Sequence, residues 1–163
     1  MSSHTTDPLA PQLSAGRALE EARASIVATA AESIRHGKTH YEAAGPDETR
    51  RRLEALYDQL LAAVSSRDLS GIVGYARRLA AERFSSGYDL TEVQGAFNAL
   101  EEAAWSRLCA ELQPEQLELS LGLVSTVLGA AKDALAREYV SLASRTHVPS
   151  LDMSALFTGD AGA

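Results

Sequence analysis

The sequence predicts an all-α fold, a five-helix bundle with a flexible N-terminal arm (residues 1–15) and a C-terminal tail (146–163). Three observations predict it. Between about Gly16 and Arg145, apolar residues recur at three- and four-residue spacing. No Val/Ile-rich alternating run in that stretch reads as a strand. Pro and Gly gather mainly where one periodic stretch gives way to the next.

The first helix is expected from about Ala18 to Tyr41, with Leu19, Ala22, Ile26, Ala30 and Ile34 as its apolar stripe. Gly45-Pro46-Asp47-Glu48 opens the second: Pro lacks an N–H that the first turn would not use, and the acids suit the dipole. Leu53, Leu56, Leu60 and Val64 form its inner face, with Tyr57 and Leu61 beside them. Asp68 is placed to cap a third helix carrying Leu69, Ile72, Val73, Leu79 and Phe84 inward, which Gly87 stops. Asp89 and Glu92 in D-L-T-E make a capping-box pair for the fourth, and Tyr88 can staple onto Val93. Its seam is Leu90, Val93, Phe97, Leu100, Ala104 and Leu108.

Gln113-Pro114-Glu115 opens a fifth helix expected to reach about Arg145. Leu117, Leu121, Val124, Leu128, Ala131, Leu135, Tyr139 and Leu142 keep helical spacing along it, and Leu119, Leu123 and Val127 form a second stripe. A helix apolar on two sides must be covered on two sides, so it is either the central helix or half of a dimer interface. Gly122 and Gly129 lie seven apart and each costs about 1 kcal/mol relative to Ala in a helix. Close helix–helix packing is the favoured explanation; a ligand-sized gap, lined also by Phe97 and Trp105, is the alternative.

Composition narrows the function classes. Fifteen Lys+Arg against 22 Asp+Glu give a net charge of −7. That disfavours a general nucleic-acid or anionic-membrane binder, which needs a basic surface. One cysteine, Cys109, excludes an internal disulfide framework. No apolar run approaches the roughly 18 residues of a membrane span, and the first residues lack a signal-peptide pattern. The expectation is a soluble, cytoplasmic domain.

Candidate chemistry is sparse. Glu32, His36 and His40 share a helical face at i, i+4 and i+8, a weak metal-ligand pattern that also fits a solvated helix end. Haem needs a core-facing histidine, and none lies between Tyr41 and Arg145. Di-iron sites need Glu-x-x-His pairs, which are missing. No phosphate loop, nucleophile elbow or H-E-x-x-H occurs, so no catalytic residue, cofactor or enzyme activity is expected. Arg50-Arg51-Arg52 opens the second helix against its dipole; pairing with Asp47, Glu48 and Glu54 is the default, an acidic partner or anion the alternative. In the tail, Leu151, Met153, Leu156 and Phe157 stand among acidic and small residues, as in segments that dock into a groove. A partner protein or the chain's own domain are equally open as the dock.

The run Arg83-Phe84-Ser85-Ser86-Gly87-Tyr88-Asp89-Leu90-Thr91-Glu92-Val93, followed by Phe97, Leu100 and Trp105, resembles the N-terminal sensory domains of stressosome co-antagonist proteins of the RsbR/RsbRD type. Leu56–Leu61 and Leu79–Glu82 fit the same layout, and the likeness extends over roughly Leu53 to Leu142. It implies an all-helical, globin-related fold without haem, often dimeric, serving as a regulatory input. It also implies a structural clasp: Arg83 tied to Glu92 or a nearby carboxylate across the turn, Gly87 as the helix stop, and Tyr88, Phe97 and Trp105 in the core. Such domains usually precede an output domain, whereas here the short tail follows. The resemblance therefore points to a homodimer that acts on a partner protein, with the tail as its handle.

Overall fold

The computed structural model describes residues 10–35 and 39–147. They form α1 (Ala10–Glu21), α2 (Arg23–Arg35), α3 (Thr39–Ala44), α4 (Pro46–Ser66), α5 (Ser70–Ser85), α6 (Leu90–Glu111) and α7 (Pro114–His147). No strand occurs among the described residues, as expected. The five-helix count, however, becomes seven, because the single helix expected over Ala18–Tyr41 is three. Its apolar stripe hides the joint at Ala22, since Leu19, Ala22 and Ile26 are buried on both sides of it. The i→i−4 pattern also persists there, with Ala22 N–H on the Ala18 carbonyl (3.1 Å) and Ile26 N–H on that of Ala22 (2.9 Å). Helix α1 begins at Ala10, inside the stretch expected as an arm, and Ala15 is fully buried.

The remaining starts and stops follow local chemistry. Pro46 occupies the first turn of α4 after Gly45 at φ 85°. The α4 C-cap is Arg67 in the left-handed region (φ 56°), its N–H on the Ala63 carbonyl. Asp68 accepts from Ser70 N–H at 2.8 Å, one residue ahead of the assigned cap, Leu69. Gly87, at φ 82°, ends α5 in a Schellman motif. Tyr88 N–H reaches the Arg83 carbonyl (3.0 Å) and Gly87 N–H that of Phe84 (3.1 Å). Asp89 then opens α6 with the full capping box: its carboxylate accepts from Glu92 N–H (2.8 Å), and Glu92 accepts from Asp89 N–H (3.3 Å).

Helix α7 is the central one, packing against α1, α4, α5 and α6. By length and composition it is also apolar enough to cross a membrane, contrary to the expectation that no run approaches a span, and 39% of its most apolar stretch is buried inside the domain. Its first stripe enters the core at Val124, Leu128, Ala131, Leu135 and Tyr139. Leu60, Leu100, Leu108, Leu128 and Leu135 are fully buried, each contributing about 1.5–3 kcal/mol relative to exposure. The second stripe is graded: Val127 is buried, Leu123 partly so, and Leu119 remains 45% exposed. Tyr57 is fully buried, and its hydroxyl donates to the Leu19 carbonyl, tying α4 to α1.

Candidate functional site

The turn between α5 and α6 gathers polar side chains from the surrounding helices. Arg83, on the last turn of α5, is only 5% exposed and stands 5.3 Å from the centre of the Tyr88 ring. Arg52 of α4 stands 5.7 Å from the same ring and donates to the Tyr88 hydroxyl at 2.6 Å. His40 of α3 stacks on that ring at 4.6 Å. Its Nδ1 meets the buried Glu92 carboxylate at 2.7 Å, and its backbone N–H donates to the other oxygen at 3.3 Å. From α7, the Tyr139 hydroxyl donates to the Tyr88 carbonyl (3.3 Å). Five helices thus converge on one turn, and the turn's sequence is the one the clasp was read from.

The clasp itself is corrected. Glu92 faces His40 rather than Arg83, and Arg83 pairs with Glu82, its neighbour on α5 (2.9 Å). A hydrogen-bonded site on Glu92 is filled from α3 because the capping box already aims its carboxylate back over the turn. Gly87 keeps its expected role. Tyr88 and Phe97 are buried as expected, but Trp105 is 42% exposed and donates from Nε1 to Ser125 Oγ (3.1 Å). It follows Ala104 of the seam, and one residue turns the side chain by about 100° toward the surface.

The four candidate pocket residues do not come together. Phe97 lines an interior cavity of about 20 Å³ bounded by Tyr41, Arg52, Leu56, Tyr75 and Arg83 among others. Gly122 lines a surface groove of about 470 Å³ with Arg67, Leu69, Leu119, Leu123 and Val127. Neither lining includes Trp105 or Gly129. The close helix–helix packing expected at the two glycines is not made within the described residues of this chain. A Cβ built at Gly122 or Gly129 meets nothing within 4 Å.

The metal candidates also separate: Glu32 lies on α2 and His40 on α3, while His36 lies outside the described residues. Glu32 accepts from Arg35 Nη1 (3.1 Å), and His40 is engaged with Glu92. No cluster of three metal-ligating side chains occurs among the described residues. The basic run at the start of α4 takes its default partners. Arg50 pairs with Glu54 (3.1 Å), Arg51 and Arg52 with Glu48 (2.7 and 2.8 Å). The Arg52 hydrogen bond chiefly holds the Glu48 carboxyl below its ordinary value, with the charges of Arg52, Arg51 and Arg83 acting in the same direction. Leu151, Met153, Leu156 and Phe157 lie outside the described residues.

Sequence reasoning missed the tyrosine surroundings of Arg83. Burial raises the hydroxyl of Tyr41 to about 12, with Arg83 opposing the shift, and that of Tyr139 to about 12 likewise. Tyr75 is raised by burial as well, again against Arg83. The signal was present in the tyrosines themselves, but their convergence spans three helices and has no local spacing.

Comparison with known proteins agrees with the turn's resemblance. No curated protein and no solved structure matches the chain significantly. Residues 14–148, most of the chain, match the family model described as the RsbT co-antagonist protein rsbRD N-terminal domain. With the capped α5–α6 turn at the centre of that match, the chain belongs to this family of stressosome co-antagonist domains, which are regulatory and not a known enzyme class.

Proposed function

We propose that this is a non-enzymatic, cytoplasmic regulatory module of globin-like ancestry that pairs with a second copy through the outer face of α7. It then engages a partner protein through the tail residues Leu151, Met153, Leu156 and Phe157. The observation that supports pairing most directly is the uncovered stripe on α7. Leu119 and Val140 are 45% and 63% exposed, and Gly122 and Gly129 face open space between them. From residue 119 to 140 an α-helix rises about 32 Å, length enough for a helix-on-helix interface. Glycines spaced along such a stripe let a second backbone approach closely, and a two-fold axis makes one stripe serve both copies.

Sedimentation equilibrium of the full chain tests this. The expected result is a dimer that Val140→Glu with Leu119→Glu converts to a folded monomer. A wild-type monomer at tens of micromolar overturns pairing. Partner binding is tested separately, by comparing capture from a bacterial lysate with full-length protein and with a chain ending at Pro149.

The second reading, a small-molecule sensor, draws support from the groove beside Gly122. An apolar ligand seated there against Leu119 and Leu123 would raise the melting temperature, and Gly122→Leu would abolish the rise by filling the groove.

A further inference from the structure

The interior cavity between α3, α4, α5 and α6 is lined by Tyr41, Arg52, Tyr75 and Arg83 on its polar side and by Leu56 and Phe97 among its apolar residues. Its volume of about 20 Å³ admits one or two water-sized species. We propose that it is a binding site for one small monovalent anion, of halide or formate size, held by the Arg83 guanidinium and the Tyr41 hydroxyl.

The argument is a balance of donors and acceptors. Tyr41 is 5% exposed, and among the described residues its hydroxyl has no hydrogen-bond partner. Buried hydroxyls are rarely left so. Arg83 is equally buried and offers five N–H donors. Among the described residues its ion-pair partner is Glu82, its sequence neighbour, whose side chain is 65% exposed to solvent, while Glu48 feels its charge without pairing with it. Two of the acceptors near the turn are already engaged, leaving the Tyr41 and Tyr75 hydroxyls at the cavity. The Tyr88 hydroxyl accepts from Arg52, and Glu92 accepts from the His40 ring and from the backbone N–H groups of His40 and Asp89. What is left is a surplus of donors around a buried positive charge whose field reaches both the Tyr41 and Tyr75 phenols.

Water would satisfy the hydroxyl alone; an anion would satisfy it and also add to a guanidinium pairing that Glu82 makes only from the solvent side. The cavity volume excludes sulfate and phosphate. Its apolar walls also favour single charge, because desolvation cost rises steeply with charge. This site is separate from the α7 stripe and the surface groove, so its test is independent of the pairing and groove readings above.

The test is thermal unfolding of the full chain in sodium bromide titrated against sodium gluconate at constant ionic strength, gluconate being too large to enter. The expected result is a saturable rise in melting temperature with bromide. Tyr41→Phe keeps the ring and removes the hydroxyl, and is expected to weaken the apparent bromide affinity about tenfold, the value of one charge-assisted hydrogen bond. Identical melting in bromide and gluconate, or a Tyr41→Phe response equal to wild type, overturns the proposal. Should the variant not fold, crystals of the wild-type chain grown in bromide decide. An anomalous peak within hydrogen-bond reach of Tyr41 Oη and Arg83 supports it, and a cavity holding only water overturns it.

Discussion

Gly87 shows how much one residue can determine. Its φ of 82° lies where L side chains are strained, and both Schellman hydrogen bonds depend on it. An added Cβ would stand 4.0 Å from His40 Nε2, so the penalty of Gly87→Ala is conformational rather than a clash. The expected loss is about 1–2 kcal/mol, a fall of several degrees in melting temperature for a domain this size. Asp89→Ala removes the cap on Glu92 N–H and is expected to cost about 1 kcal/mol, measurable in urea. Both residues were legible in the sequence because turn and cap chemistry is written within four or five positions. The partner of Glu92 was not legible, since His40 reaches it across 52 residues and only packing brings α3 there. Trp105 was misplaced because the family resemblance implied the core, while its register beside Ala104 directed it outward.

At the level of elements, α7 separates two kinds of position. Leu128 is fully buried against the core, and Leu128→Ala is expected to destabilise by about 2–5 kcal/mol through lost burial and a residual cavity. Gly122 faces open space, so Gly122→Ala is expected to stabilise the isolated chain by as much as about 1 kcal/mol through helix propensity alone. Chemical denaturation of both variants checks the contrast. A destabilising Gly122→Ala would reveal a backbone contact at that face, such as one made by a second copy. The periodicity of α7 showed from sequence that two sides were apolar. Which side the domain itself covers was settled by its packing against four other helices.

Across the whole molecule, four of the five tyrosines have hydroxyls shifted upward, chiefly by burial. For Tyr41 and Tyr139 the folded value is about 12 against an ordinary 10.0. A group that holds its proton more tightly when folded contributes stability that is fully present below its unfolded value. That contribution is lost as pH rises from about 10 through about 12. Stability is therefore expected to fall steeply over this window. Tyrosinate absorbance should appear late and together with the loss of helical circular dichroism. Early ionisation of most tyrosines in a still-folded chain would contradict the burial that joins α3, α4, α5 and α7.

The sequence by itself determined the helical class, most helix starts and stops, the inner faces of α4, α6 and α7, and the family. Periodicity, caps and turn residues act over a few positions, and their energies need no distant partner. The tertiary structure alone decided the division of the first helix into three, the His40–Glu92 pair, the exposure of Trp105 and the open surroundings of Gly122 and Gly129. It also decided the burial of Arg83 among tyrosines. Each of these depends on which surfaces meet after the helices pack, and residues far apart in the chain acquire that relation only when the core closes around them.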